Sequence, residues 1–131
     1  MNVVDSSGWL EYFAGGPNAD NFLVPIRNAD SLIVPVITVY EVFKVILRES
    51  TENQAFRAIA AMQNGRIIDL TPDIAMNASK LSLQYDLPMA DSLILSTAKM
   101  YGCTIWTQDA DFESIPGVRY FPKSRGTGGK P

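Results

Sequence analysis

The chain has 131 residues, a net charge of −3 and 47% hydrophobic residues, a composition typical of one folded domain. It contains no histidine and one cysteine, Cys103, which excludes His-based triads and, in practice, structural zinc. Catalysis would therefore have to use carboxylates, hydroxyls, Lys, Arg or Tyr. No apolar run is long enough for a membrane helix and the start, MNVVDSSGW, does not resemble a signal peptide, so we expect a cytoplasmic protein.

Short β-branched segments alternate with longer helical segments along the chain. The predicted strands are residues 2–4, 32–35, 66–70, 103–107 and 118–121. The predicted helices are residues 6–13, 18–28, 37–50, 51–64, 71–86 and 91–102. This alternation predicts an α/β fold with a mainly parallel central sheet, covered by helices on both faces. We assign residues 1–122 to one domain and residues 123–131 to a flexible, basic, Gly-rich tail.

Two of the predicted strands are followed by an aspartate. Asp5 comes directly after residues 2–4, and Asp109 comes two residues after the end of 103–107. In an open parallel sheet the ligand crevice lies beyond the carboxyl ends of the strands, where the strand order reverses, so both acids could face one cleft. Aspartate is also common at strand-to-helix turns and helix N-caps, and this ordinary explanation is favoured for either residue alone.

Two further acids lie on predicted helices. Glu41 forms a stripe with Lys44 and Arg48 at positions i, i+3 and i+7, which is typical either of a solvated helix face or of a helix lining a cleft. Asp91 begins the helix 91–102, where the helix dipole favours an acid with or without a function. Periodicity alone does not decide between these alternatives.

Convergence of the four acids would favour a bound cation. Carboxylates that lie close together repel one another, and some become protonated unless a cation joins them. Carboxylate oxygens suit Mg²⁺ or Mn²⁺, and such an ion can activate water for attack on a phosphodiester. Phosphodiester hydrolysis is the reaction class that these residue types serve without histidine.

Four segments of the chain carry a family resemblance. VVDSSGWLEYF, VYEV, LPMADSLILSTA and TQDADF resemble, in order and approximate spacing, the motifs of PIN-domain ribonucleases, and most of all VapC-type toxins of prokaryotic toxin–antitoxin pairs. Each motif is short, but the ordered set is specific and covers residues 5 to about 121. Ser92 is a small departure, since many relatives have alanine there. The resemblance implies a three-layer α/β/α sandwich with an acidic pocket at the carboxyl ends of the strands.

The resemblance also implies roles for individual residues. The metal-binding and catalytic positions that it implies are Asp5, Glu41, Asp91 and Asp109. Supporting positions beside the pocket are Ser6 and Thr107. We expect Asp111 to cap the short DFES turn or to lie behind the metal ligands. Lys44 and Arg48 are candidates for contacts with RNA phosphates.

The activity implied by the resemblance is that of an Mg²⁺- or Mn²⁺-dependent endoribonuclease, a toxin that cleaves structured RNA such as tRNA or rRNA. The resemblance further implies a homodimer and a cognate antitoxin that covers the toxin with an extended or helical segment. The helices containing WLEYF and VYEVF are candidates for that contact, although most of their apolar side chains are expected in the core.

Three other classes of protein share part of this sequence pattern. A phosphoacceptor signalling domain needs an acidic pair after the first strand and a lysine after a late strand, but here Asp5 is followed by two serines and WTQDADF contains no lysine. A haloacid-dehalogenase-like phosphatase needs a second aspartate where this chain has Ser7. The stronger alternative is a PIN-like interaction module without activity, although the presence of all four acids argues against it.

Overall fold

The computed structural model describes residues 1–123, so the tail predicted at 123–131 lies outside the described residues except for Lys123. Within this range the strands are β1 Asn2–Val4, β2 Leu32–Pro35, β3 Arg66–Ile68, β4 Thr104–Thr107 and β5 Val118–Tyr120. The helices are α1 Ser6–Ala14, α2 Ala19–Ile26, α3 Val36–Glu49, α4 Glu52–Met62, α5 Pro72–Tyr85 and α6 Met89–Met100. Two short 3₁₀ turns cover Ala29–Ser31 and Ala110–Phe112.

The five strands form one sheet in which every pairing is parallel. Successive side chains of a strand point to opposite faces, and the neighbours Val3 and Val4 accordingly lie in two different cores. Val3 and Ile105 pack with apolar residues of α5 and α6, whereas Val4 and Trp106 pack with residues of α1, α2, α3 and α4. The three-layer α/β/α sandwich is therefore confirmed.

The order of the strands places a crevice between β1 and β4. From β1 the sheet grows through β2 to β3, and β4 then lies on the other side of β1, giving the order β3-β2-β1-β4-β5. Ligands of open parallel sheets bind at such a reversal, beyond the carboxyl ends of the strands. Asp5 lies at this point, with its backbone N–H donating to the Trp106 carbonyl at 3.1 Å.

The helix boundaries follow the predicted capping residues closely. Thr51 and Thr71 cap α4 and α5, their hydroxyls accepting from backbone N–H groups at 3.1 and 3.2 Å. The main difference is α6, which begins at Met89 rather than at Asp91. The Ser92 N–H already donates to the Pro88 carbonyl at 3.0 Å, and Asp91 consequently lies inside the first turn.

Among residues 1–123, no helix has both the length and the apolar character that crossing a membrane requires.

Gly8 allows α1 to lie close to the sheet. A Cβ at this position would come within 2.7 Å of Val4 Cγ1 and 2.8 Å of Phe22 Cδ1, and both neighbours are fully buried. We predict that Gly8→Ala lowers the free energy of unfolding by about 1–3 kcal/mol, because buried side chains have little room to move. In an exposed helix the same change would stabilise by about 1 kcal/mol.

Chemical denaturation measures this difference. Asn53→Ala, at an exposed position of α4, is the control and should change the free energy of unfolding by no more than about 0.5 kcal/mol. A more stable Gly8→Ala variant would contradict the close packing described for α1.

Candidate metal centre

Asp5 is the most buried acid of the site, with 2% of its surface exposed. Its Oδ1 caps α1 by accepting from the Gly8 N–H at 2.9 Å, and the Ser7 hydroxyl donates to the same oxygen at 2.8 Å. Its Oδ2 accepts from the Thr107 hydroxyl at 2.6 Å. These bonds connect the end of β1, the start of α1 and the end of β4 through one carboxylate.

Thr107 also fixes the backbone that carries Asp109. Its Oγ1 accepts from the Asp109 N–H at 2.8 Å, while its proton is donated to Asp5. The sequence resemblance implied a supporting role for Thr107, and these two bonds give that prediction a physical basis. Ser6, the other predicted supporting residue, donates its hydroxyl to Glu41 Oε1.

The turn after β4 is capped by Asp109 and not by Asp111, so the capping role predicted for Asp111 was wrong. Asp109 Oδ1 accepts from the Asp111 N–H at 2.9 Å, which is the usual bond of an aspartate to the backbone two residues further on. Asp111 belongs to the capped turn, and the fully buried Phe112 anchors that turn in the core.

Three carboxylates converge at the mouth of the crevice. One oxygen each from Asp91, Asp109 and Asp111 lies within 4.8 Å of the other two. Asp91 and Asp109 were both predicted as metal ligands, whereas Asp111 was predicted only as a supporting residue. In the part of the chain that the structure describes, the three-oxygen group includes neither Asp5 nor Glu41, although both lie near enough to affect the ionisation of Asp91.

Glu41 faces the crevice, while the rest of its predicted stripe does not. Its carboxylate is half-buried beside Ser6 and is one of the charges that act on Asp91. Lys44 is exposed, with its Nζ 5.5 Å from the centre of the Tyr40 ring. Arg48 is also exposed and pairs with Glu49 at 2.8 Å.

The acids perturb one another's ionisation. Burial raises the pKa of Asp91 to about 7, with further increases from the charges of Asp109, Asp5, Glu41 and Asp111, in that order. Burial likewise raises the pKa of Asp5 to about 6, despite the opposing hydrogen bonds from Thr107, Gly8 and Ser7. Keeping these groups ionised near neutral pH therefore costs free energy in the protein alone.

The donor set fits a hard divalent cation. The converging groups are all carboxylates, and the only ion pair among residues 1–123 joins Arg48 to Glu49, so no basic side chain of that range neutralises the acids. Mg²⁺ and Mn²⁺ prefer oxygen ligands, and their charge would relieve the repulsion that raises the pKa of Asp91.

Several polar residues beside the site were not predicted from the sequence. Ser7 bonds to both oxygens of Asp5, at 2.8 and 3.0 Å. The Asn18 amide donates to Gln108 Oε1 at 3.0 Å, and its backbone N–H donates to Glu11 at 2.7 Å. A hydroxyl two residues after a helix-capping aspartate is a signal that could have identified Ser7. The Asn18–Gln108 contact joins distant segments and has no comparable signal.

Comparisons with known proteins agree with this architecture. The PIN domain family model matches residues 3–118. A toxin–antitoxin complex from Klebsiella pneumoniae contains a chain that superposes with a TM-score of 0.79 at 26% identity, covering 93% of this chain and 99% of its own. VapC20 from Mycobacterium tuberculosis, a sarcin–ricin loop cleaving toxin, has a TM-score of 0.76 at 16% identity, with coverage of 90% and 97%. FitAcB from Neisseria gonorrhoeae has a TM-score of 0.71 at 17% identity, with coverage of 93% and 98%.

Because the family model spans most of the chain, this protein belongs to the PIN-domain family, and the resemblance read from its sequence is confirmed. No curated protein matches it in sequence.

The raised pKa of Asp91 predicts how pH affects the metal-free protein. The folded state holds a proton on Asp91 at pH values where the unfolded chain has released it, so stability should fall as pH rises from about 4 to above 7. Asp91→Asn removes this pH-dependent loss of stability. Because no hydrogen bond to the Asp91 side chain is present among the described residues, the substitution breaks no such bond. We predict a melting temperature at pH 8 in EDTA that is roughly 3–6 °C above that of the unmodified protein.

The control is Asp73→Asn, which changes an exposed first-turn acid of α5. It should slightly lower the melting temperature by removing a favourable interaction with the helix dipole. If Asp91→Asn melted at or below the unmodified protein throughout pH 5–8, the repulsion described for this site would be absent.

Proposed function

We propose that this protein is a metal-dependent endoribonuclease and the toxin of a toxin–antitoxin pair. The observation that carries the proposal is the convergence of Asp91, Asp109 and Asp111 beside Asp5 and Glu41, without a basic neutraliser in residues 1–123, at the strand-order reversal of a PIN fold. Burial and mutual repulsion prepare these acids for a divalent cation, which is the group that phosphodiester hydrolysis without histidine requires.

The proposed substrate is structured RNA, tRNA or rRNA. Support comes from the similarity to VapC20, which cleaves the sarcin–ricin loop, and from the fit of the chain to a toxin–antitoxin complex over nearly its whole length. The acidic site itself repels a polyanion, so RNA would have to bind through a cation and through basic groups on the rim. We assign this role to Lys44, an exposed residue one helical turn beyond Glu41.

Each acid has a definable role in the proposed reaction. Mg²⁺ or Mn²⁺ held by Asp91, Asp109 and Asp111, with Asp5 and Glu41 close by, would supply a Lewis acid that activates water and offsets charge on the phosphate. Thr107 and Ser7 orient Asp5, and Ser6 orients Glu41. Both carboxylate oxygens of Asp5 accept hydrogen bonds, and these bonds hold the carboxylate in one orientation. Its remaining lone pairs are still available to a ligand.

A groove beside the site is the proposed antitoxin-binding surface. It has a volume of about 740 Å³ and runs between α1, α3 and α4. Its apolar lining comes from Leu10, Phe13, Ala14, Val45, Ile46 and Ala58. Ser7 and Gln108 lie at the end next to Asp5, so a segment seated in this groove would reach the acidic site. Trp9 and Val42, from the same helices, are core residues.

The homodimer implied by the sequence resemblance stays a prediction.

We predict that RNA cleavage requires Mg²⁺ or Mn²⁺ and is abolished by EDTA. Asp5→Asn and Asp109→Asn should each lower kcat/KM by about 100-fold or more, since both change the charge and geometry of the site. Asp111→Asn should also reduce cleavage, because its carboxylate lies in the same group as Asp91 and Asp109. The measurement is initial cleavage rate on labelled RNA.

Asp30→Asn, an exposed acid before β2 at the opposite end of the sheet, should cleave normally. Full activity of Asp5→Asn, with contaminating nuclease excluded, would contradict the site. Absence of both RNA cleavage and calorimetric Mn²⁺ binding in the unmodified protein would favour the inactive interaction module.

A second prediction concerns the groove. Ala14 is an exposed groove residue at the end of α1, so Ala14→Arg should obstruct a bound segment without disturbing the core. We expect Ala14→Arg to retain RNA cleavage and to lose inhibition by the antitoxin at least tenfold, as measured by antitoxin titration. Ala60→Arg, on the exposed side of α4 outside the groove, should remain inhibited. If the antitoxin inhibited Ala14→Arg as strongly as the unmodified protein, it would have to bind to a surface other than this groove.

A further inference from the structure

We propose that a second pocket, between α5 and α6, binds a backbone phosphate of the RNA whose cleavage occurs at the acidic site. The inference rests on the proposed ribonuclease function and adds to it a distal anion subsite. The pocket has a volume of about 260 Å³ and is lined by Asn77, Lys80, Leu81, Gln84, Ser96 and Lys99. This volume is ample for a phosphate group with some of its water.

The pocket offers cations and amide donors but no carboxylate. Lys80 and Lys99 bring two positive charges from two different helices, and Asn77 and Gln84 bring side-chain N–H groups. The Ser96 hydroxyl already donates to the Ile74 carbonyl at 2.8 Å and forms part of the floor. A site with these groups selects an anion with several acceptor oxygens, which describes a phosphodiester.

Neither lysine is engaged elsewhere within residues 1–123. The single ion pair of that range is between Arg48 and Glu49, and no side-chain hydrogen bond involves Lys80 or Lys99. Both lysines are exposed and line the same concave surface, so an anion bound there would be attracted by two positive charges. The ordinary alternative is a solvated polar face, and the pairing of two cations around one concave volume favours the binding site.

The position of the pocket connects it to the acidic site through a single helix. Lys99 follows Asp91 by eight residues on α6, which is about 12 Å along the helix axis. This separation corresponds to only a few nucleotides, so a strand with one phosphate at the acids could have another within reach of the pocket. A chain of net charge −3 with a repelling acidic centre needs such a local attraction to hold RNA.

The test compares Lys80→Gln/Lys99→Gln with Arg27→Gln/Arg66→Gln, a double variant with the same change in charge at two exposed positions that line neither the groove nor the pocket. Two substrates are used, a 20-nucleotide RNA and a trinucleotide spanning only the cleaved bond. For the long RNA we expect the lysine variant to raise KM roughly 3- to 30-fold with kcat unchanged. The slope of log affinity against log salt should fall by about 1.4, as expected for two lost phosphate contacts to a single strand.

For the trinucleotide, KM should be unchanged, and the arginine control should behave like the unmodified protein on both substrates. An unchanged KM for the long RNA, or an equal effect of the arginine control, would overturn the phosphate site. An equal rise in KM for the trinucleotide would also overturn the phosphate site, since the lysines would then act only through the electrostatic field of the whole protein.

Binding of the long RNA to the Asp5→Asn background, measured by fluorescence anisotropy, separates this inference from the proposed function. If the unmodified protein cleaves no RNA, the proposed function fails, while weaker RNA binding caused by the lysine substitutions would still support the pocket. If the protein cleaves RNA and the lysine substitutions alter neither binding nor KM, the pocket fails alone.

Discussion

The hydrogen-bonded carboxylate of Asp5 is the contact on which the rest of the site depends. It accepts from α1, through Gly8 and Ser7, and from β4, through Thr107, at the place where the strand order reverses. Since Thr107 in turn holds the Asp109 N–H, the position of Asp109 is set through Asp5. Burying an ionised carboxylate is unfavourable unless hydrogen bonds compensate it, and here several do.

The same arrangement creates a charge conflict that gives the site its chemistry. Burial is the largest cause of the raised pKa of Asp91, and four other acids lie close enough to raise it further. A structural ion-pair network would relieve this repulsion with lysine or arginine, whereas the single ion pair among residues 1–123 joins Arg48 to Glu49 and involves none of these acids. An acidic cluster without a basic partner suits the proposed metal-dependent activity, because a divalent cation would supply the missing positive charge.

Much of the fold could be predicted because the local signals agree with it. Threonines 51 and 71 cap helices where capping residues were expected, and adjacent strand residues such as Val3 and Val4 alternate between two cores. The strand ends allowed Asp5 and Asp109 to share a crevice, although an ordinary turn or cap was favoured for either residue alone. The position of Glu41 could be predicted only from the family resemblance, because the helical periodicity is equally compatible with a side chain facing solvent and with one facing the crevice.

What sequence could not supply depends on contacts between distant segments or on backbone detail. We predicted a capping role for Asp111, whereas Asp109 is the residue that caps the turn. The direction of this hydrogen bond depends on backbone geometry that the sequence does not show. The convergence of Asp111 with Asp91 brings together residues 20 positions apart. The lysine pocket likewise appears only when α5 packs against α6, for no linear motif joins Lys80 to Lys99.

The most direct test of the central claim is anomalous diffraction from crystals soaked in Mn²⁺. The account predicts a manganese peak in contact with carboxylate oxygens of Asp91 and Asp109, with Asp111 or Asp5 completing the protein ligands. Crystals of Asp109→Asn treated identically should show a weaker peak or none. Manganese absent from this crevice, or bound only at other surface acids, would contradict the metal centre on which the proposed function depends.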